Sequence, residues 1–248
     1  MRTSLLFILV LLTGILKGQY PFEKYPALKY KAYNDWKIND RSEAKEKDVQ
    51  NTLTIPNFYD NSDMLTIQLT SFADHFWDNS VVRVFRNKIE IQTLVENMAF
   101  NPAGLDTVRV ADVNGDGLLD VKIIVAYMGN GTASLNAKVI YLFQRPDHSF
   151  NMISFDDKMG PNETERDFDR DGNYEIITMN LFGYENHSYW LFNLFEYKNN
   201  ELVNANKKAN YPIMIQFLFR ENFEITNKIS RAKMKDFELK LPDCYERK

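Results

Sequence analysis

The stretch DVNGDGLLDVKIIVAYM, residues 112–128, decides the fold of this chain, because an acidic turn runs directly into an apolar, strand-like segment. A second stretch, DFDRDGNYEIITMNLF, repeats the arrangement at residues 167–182. Both turns read D-x-[DN]-x-D-G-x-x-[DE], and their first aspartates, Asp112 and Asp167, are 55 residues apart. A pattern that recurs at such a period predicts structural repeats. The flanking segments are rich in β-branched and aromatic residues, which indicates that the repeats are built of strands.

The two turns, loop 1 (residues 112–120) and loop 2 (residues 167–175), carry oxygen ligands at alternate positions, as a calcium loop requires. Gly117 and Gly172 supply the positive φ that a sharp turn needs. In loop 1 the predicted ligands are the side chains of Asp112, Asn114, Asp116 and Asp120 and the carbonyl of Leu118. In loop 2 they are the side chains of Asp167, Asp169, Asp171 and Glu175 and the carbonyl of Asn173. We therefore predict two Ca²⁺ sites, one in each loop.

Other readings of the acidic turns explain less of the pattern. Sequences rich in Asp, Asn and Gly also form simple turns, but this does not account for the same five-position pattern occurring twice. An EF-hand loop needs Glu at its twelfth position and helices on both sides. The twelfth positions here are Ile123 and Thr178, and the flanks are strand-like. The strand context also argues against a dockerin-type module, whose loops are followed by helices.

Three stretches of the chain share one organisation, in which strand-like segments end in a hairpin of similar sequence. The aromatic residues that precede the hairpin turns, Phe85, Phe143 and Tyr197, are spaced 58 and then 54 residues apart. In the first unit Asp63 falls where Asp120 and Glu175 fall, but Ile55, Asn57 and Tyr59 stand where ligands should be. A period near 55 residues with about four strands per unit is typical of a propeller blade. The predicted fold is therefore mainly β, with repeated four-stranded antiparallel sheets in a small or incomplete β-propeller-like architecture.

The N-terminal residues predict export. Arg2 and the apolar stretch LLFILVLLTGIL at residues 5–16 form a secretory signal pattern, and the stretch is shorter than the roughly 20 residues that span a bilayer. We predict a signal peptide at residues 1–18, then an N-terminal segment and charged linker at residues 19–52. A β-repeat domain with the two loops follows at residues 53–248. The expected location is secreted or periplasmic.

The loops resemble the calcium loops of FG-GAP/VCBS repeats, which occur in the β-propellers of integrin α-subunits and in many secreted bacterial proteins. The resemblance is strongest over residues 107–206 and weaker over residues 53–106. It implies a β-propeller or a related β-repeat fold, with one calcium ion bound in each loop for rigidity. The chain lacks the Phe-Gly and Gly-Ala-Pro signatures at the expected places, since Phe182-Gly183 lies inside a strand-turn instead. It also has too few units for a seven-blade ring.

Composition and motifs narrow the function. With Lys+Arg 30 against Asp+Glu 34 the charge is close to balanced, so nucleic acid is not an expected partner. The three histidines are far apart in the sequence, and the single cysteine, Cys244, lies near the C-terminus, so no zinc-hydrolase or Cys–His pattern is present. Tyr25, Tyr30, Tyr33 and Trp36, with Tyr20, either line a carbohydrate or peptide surface or pack the N-terminal segment onto the domain.

The leading expectation is a secreted, non-catalytic calcium-binding module that two Ca²⁺ ions stabilise and that binds protein or glycan. The alternative is a cell-envelope hydrolase of glycan or peptide that uses the loops as a scaffold. A cluster of titratable residues in one pocket, away from both loops, would favour the hydrolase.

Overall fold

The computed structural model of the protein describes residues 22–40, 48–59, 62–72, 80–96, 100, 105, 107–126, 135–158, 164–217 and 229–248. The predicted signal peptide at residues 1–18 lies outside the described residues, as do residues 41–47 of the charged run.

The described residues are mainly β-strand, as predicted, with only short helical turns. The strands are β1 (Lys31–Tyr33), β2 (Lys37–Asp40), β3 (Asp48–Ile55), β4 (Leu65–Phe72), β5 (Ser80–Arg86), β6 (Ile89–Glu96), β7 (Val108–Ala111), β8 (Asp120–Ala126), β9 (Ala137–Gln144), β10 (Phe150–Asp157), β11 (Ile176–Tyr184), β12 (His187–Lys198), β13 (Glu201–Asn204), β14 (Ile213–Gln216) and β15 (Asp243–Arg247). The helix α1 spans Arg231–Met234, and 3-10 turns span Asn206–Ala209 and Lys235–Phe237. None of the helices among the described residues is long and apolar enough to span a membrane.

The strands form three antiparallel sheets. The N-terminal sheet has the order β2-β3-β4-β5-β6, and the central sheet has the order β1-β7-β8-β9-β10-β15. In the C-terminal sheet, β12 pairs with β11 on one side and with β13 and β14 on the other. Among the described residues, none of these sheets closes on itself. Two sheets exceed the predicted four strands, because β2, β1 and β15 add edge strands to runs of four consecutive strands.

Tight asparagine-rich turns join neighbouring strands. The two-residue turns Asn87-Lys88, Glu185-Asn186 and Asn199-Asn200 have positive φ at both positions. This backbone matches the twist of paired strands, and asparagine tolerates it better than most residues do. The predicted hairpins after Phe85 and Tyr197 therefore exist as β5–β6 and β12–β13, and β9–β10 forms the third.

The central sheet is the middle layer of the core. Every residue of β9 is buried, and β8 and β10 are buried along nearly their whole length. One face of the sheet packs against the N-terminal sheet, through residues such as Ile123 and Leu142. The other packs against the C-terminal sheet, through residues such as Tyr141 and Phe143. Burial on both faces explains why the sequences of these strands are almost continuously apolar and do not alternate between apolar and polar residues.

The N-terminal segment packs onto the body of the protein. Tyr25 lies 4.3 Å from Phe168 between ring centroids, and the Leu28 amide donates a hydrogen bond of 2.9 Å to the Glu165 carbonyl. Tyr33 and Trp36 pack against the core between the N-terminal and central sheets. These contacts fit the packing alternative for the tyrosine-rich segment. The predicted boundary between residues 52 and 53 falls inside β3.

Candidate metal centre

Both acidic loops connect two segments of the chain that pair antiparallel at the ends of the loop. Ala111 pairs with Asp120 across loop 1, and Arg166 pairs with Glu175 across loop 2. Each partner in the second pair lies 55 residues after its counterpart in the first, which is also the spacing of the sequence motif. The two loops therefore occupy equivalent positions in the fold.

The closing carboxylates of the two loops also have the same environment. The Val113 amide donates to Asp120 Oδ2 at 2.9 Å, and the Phe168 amide donates to Glu175 Oε2 at 2.9 Å. Asp120 and Glu175 are both fully buried. A buried carboxylate that accepts a hydrogen bond from the backbone near the start of its own loop stabilises the conformation of that loop.

The two loops contact each other. A Cβ atom added at Gly115 would lie 2.6 Å from the carbonyl oxygen of Gly172, so the backbones approach more closely there than side chains allow. The Tyr174 amide donates a hydrogen bond of 2.9 Å to the Val113 carbonyl. A change in the shape of one loop therefore acts directly on the other.

Within loop 1, the predicted ligand side chains bind the backbone of the loop itself. Asp112 accepts hydrogen bonds from the amides of Gly115 at 2.7 Å and Gly117 at 2.8 Å. Asp116 accepts from the Leu118 amide at 2.8 Å. Among the described residues, no lysine or arginine forms an ion pair with Asp112, Asp116 or Asp120.

Loop 1 accordingly concentrates negative charge without a basic partner. The pKa of Asp120 is raised to about 8, chiefly by burial and also by the nearby carboxylates of Asp116 and Asp112, while hydrogen bonds from the Val113 and Gln144 amides oppose the rise. A cation near this carboxylate would favour its ionised form.

Within loop 2, three predicted ligands come together. One carboxylate oxygen from each of Asp167, Asp169 and Glu175 lies within 4.8 Å of the other two. The three acidic side chains of loop 1 do not reach this mutual distance, although all of them belong to the part of the chain that the structure describes. Two of the three carboxylates in loop 2, those of Asp169 and Glu175, also contact a lysine side chain that the motif does not contain.

Lys208, in the 3-10 turn after β13, places its ammonium group in loop 2. Its Nζ atom lies 2.7 Å from Glu175 Oε1, 3.0 Å from Asp169 Oδ2 and 3.3 Å from Asp171 Oδ2. It also lies 2.5 Å from Glu196 Oε2, on the neighbouring strand β12. Burial acts to lower the pKa of Lys208, but the hydrogen bonds to Glu175 and Glu196 raise it well above the usual value. The lysine is therefore held as a cation.

Loop 2 also contains buried oxygen atoms that the lysine does not reach. Within the described part of the chain, Asp167 Oδ1 and Asn173 Oδ1 are buried and have no hydrogen-bond partner. A buried polar atom without a partner lowers the stability of the folded state. A cation that binds more oxygen atoms than an ammonium can contact would supply the missing partner. Ca²⁺ takes six to eight oxygen ligands, so the donor set of loop 2 fits such an ion.

Two residues of this centre, Lys208 and Glu196, were not predicted from the sequence. Neither belongs to the acidic motif, and the sequence around Lys208, NANKKAN, contains nothing that marks it as a partner of loop 2. Asp63, the predicted remnant of a first loop, instead accepts a hydrogen bond of 2.8 Å from Arg86 at the end of β5. Asp120 similarly accepts from the Gln144 amide at the end of β9, so the two aspartates play related structural roles.

Comparison of the chain with models of protein families, with curated proteins and with solved structures found no match.

Proposed function

We propose that the protein is a secreted, non-catalytic calcium-binding β-repeat protein, with Ca²⁺ bound by loops 1 and 2. The observation that carries the proposal is the convergence of Asp167, Asp169 and Glu175 around one point, with Asp167 Oδ1 buried and unpartnered among the described residues. Hard oxygen donors of this kind are the ligands that Ca²⁺ prefers.

The equivalence of the loops extends the proposal to loop 1. In loop 2 the ligands are Asp167, Asp169, Asp171, the carbonyl of Asn173 and Glu175. In loop 1 they are Asp112, Asn114, Asp116, the carbonyl of Leu118 and Asp120. The ion supplies positive charge to carboxylates that repel one another, and its binding to the folded state stabilises that state.

The repeat architecture supports a propeller-like relationship among the sheets. Each sheet contains four consecutive strands, β3–β6, β7–β10 and β11–β14, and the central sheet is covered on both faces. Stacked blades have this arrangement. We propose that the sheets are three units of a small or incomplete propeller, with loop 1 between β7 and β8 of the second unit and loop 2 directly before β11 of the third.

The expected partner is a protein or glycan outside the cell. Strand β6 presents Ile89, Ile91 and Val95 to solvent, and among the described residues it pairs on one side only, with β5. An exposed strand edge with apolar side chains supports a protein partner. Export itself rests on the signal pattern of residues 1–18.

One observation favours the alternative of a cell-envelope hydrolase. A cavity of about 300 Å³ lies beside the start of β9 and the end of β10, at the end of the central sheet away from loop 1. It is lined by Asn136, Asp156, Asp157, Lys158, Asn180, Asp243 and Cys244. The carboxylates in it already have structural partners. Asp157 accepts from the amides of Lys158 and Met179, and Asp243 accepts from the Asn180 side chain at 2.6 Å. The binding module therefore remains the better-supported function.

Equilibrium dialysis tests the proposal directly. The purified protein, stripped with EGTA, is dialysed against increasing calcium, and the same experiment is repeated with magnesium. We expect saturable binding of calcium that magnesium does not match, because Mg²⁺ requires a stricter geometry. An Asp116→Ala, Asp171→Ala double variant is the matched control, and calcium binding that persists unchanged in it would contradict the assignment.

A further inference from the structure

Loops 1 and 2 share a motif, an antiparallel pairing of their end residues and a closing hydrogen bond, but they differ in charge. Four carboxylates, those of Asp169, Asp171, Glu175 and Glu196, surround the Lys208 ammonium in loop 2. In loop 1, within the described residues, no basic side chain reaches the carboxylates. Loop 2 therefore contains a positively charged side chain, the Lys208 ammonium, whereas the carboxylates of loop 1 have no such neighbour among the described residues.

The position of Lys208 matters because it overlaps with the predicted ligand set. Three of its four carboxylate contacts, Asp169, Asp171 and Glu175, are predicted Ca²⁺ ligands. An ammonium and a calcium ion cannot share these oxygens at such distances, because two cations a few ångströms apart repel strongly. Calcium can enter loop 2 only if the lysine side chain leaves it.

The lysine does not satisfy the whole loop. Among the described residues, it forms no ion pair with Asp167, whose buried Oδ1 has no partner. An ammonium has three donors, whereas Ca²⁺ takes six to eight ligands. The loop therefore retains the means to bind calcium while the lysine opposes that binding.

We propose that Lys208 is a tethered competitor of Ca²⁺ in loop 2, so that the protein fills loop 1 first and fills loop 2 only when calcium displaces the lysine side chain. The proposal rests on the calcium-binding function proposed above. It makes the two repeats unequal sites, with one filling at low calcium and the other at high calcium. Because the loops touch at Gly115 and Gly172, the first ion acts on the shape of the loop that the second must enter.

Calcium titration against a competing chelating dye, with the purified full-length protein, tests the proposal. The Asp116→Ala variant weakens loop 1 and isolates loop 2. In that background, Lys208→Met removes the competitor, and Lys207→Met removes the same charge from an exposed position in the same turn. We expect Lys208→Met to tighten calcium binding by about tenfold or more, because charge around the ligands sets the affinity of such sites. Lys207→Met should leave it unchanged.

Two further variants keep the test decisive if Lys208→Met does not fold. Lys208→Gln also removes the charge and is expected to tighten binding, whereas Lys208→Arg keeps the charge and should leave loop 2 weak. Equal affinities in the Lys208 and Lys207 variants would overturn the inference while leaving the calcium function intact. Calcium binding by Lys208→Met without any by the wild type would overturn the proposed order of filling, because loop 1 would then bind no calcium in the wild type. An absence of binding in every protein would overturn both.

Discussion

Gly115 in loop 1 lies directly against the carbonyl of Gly172 in loop 2, where an added Cβ atom would come within 2.6 Å of the oxygen. The two residues are 57 positions apart in the sequence, but they join the two candidate metal loops into one structural unit. The hydrogen bond from the Tyr174 amide to the Val113 carbonyl lies beside this contact. The candidate metal centre is therefore a pair of touching loops rather than two independent ones.

Gly115→Ala is expected to destabilise the protein more than Gly117→Ala. Both glycines have positive φ, which costs an alanine about 1–2 kcal/mol. At Gly117 no atom lies within 4 Å of an added Cβ, whereas at Gly115 the Gly172 carbonyl would have to move. Overpacking of this kind adds about 1–3 kcal/mol. Urea unfolding of both variants provides the measurement, and an equal loss of stability in the two would show that the loops do not contact each other.

Lys122→Met should destabilise the protein by about 3–5 kcal/mol, because it leaves a buried carboxylate without its counter-charge. Lys122 Nζ lies 2.6 Å from Glu165 Oε1, and both side chains are almost completely buried. The hydroxyl groups of Tyr30 and Tyr141 also donate to Glu165, which ties the N-terminal segment to the central sheet. The measurement is denaturant unfolding, and Lys122→Met combined with Glu165→Gln should recover part of the loss.

A surface pair provides the control for the buried one. Arg247 and Glu201 lie 3.2 Å apart with both side chains about half exposed. Arg247→Met is expected to cost no more than about 1 kcal/mol, since exposed ion pairs contribute little. A loss for Lys122→Met as small as that for Arg247→Met would contradict the buried network.

Much of this architecture could be predicted from the sequence. The features that could not be predicted depend on residues that are far apart in the chain. The loops at residues 112–120 and 167–175, their strand flanks and the asparagine turns are local features, which the order of residue types determines. Lys208 and Glu196 reach loop 2 from strands and turns later in the chain, so no local pattern contains them. The covering of the central sheet on both faces is likewise a property of three sheets together.

Alkaline pH should destabilise the protein through its buried tyrosines. The pKa of Tyr59 is raised to about 12, chiefly by burial, while the Arg86 guanidinium opposes the rise and the Asp63 carboxylate contributes to it. Burial also raises the pKa of Tyr30, and so does Glu165 beside it. The folded protein therefore holds these protons at a pH where the unfolded chain, with a tyrosine pKa near about 10, releases them. The contribution of these tyrosines to the free energy of unfolding should be fully present below about pH 10 and should be lost as the pH rises towards about 12.

Tyr59→Phe isolates one part of this effect. Its hydroxyl is buried and has no hydrogen-bond partner among the described residues, so its removal does not break a bond. Thermal unfolding between pH 9 and pH 12 should show a shallower decline for Tyr59→Phe than for the wild type. Identical slopes for the two proteins would show that Tyr59 ionises as freely in the folded state as in the unfolded chain.

Thermal unfolding with EGTA and then with millimolar calcium tests the central claim most directly, in the wild type and in Asp116→Ala and Asp171→Ala. If calcium is present at about a hundred times its Kd, the gain is about 2.7 kcal/mol for one site, or roughly 5–10 °C in Tm for a chain of this size. We predict that calcium raises the Tm of the wild type. We also predict that both substitutions reduce the rise, and that Asp116→Ala reduces it more because Lys208 competes in loop 2. A wild-type Tm that is the same in EGTA and in calcium would contradict the account.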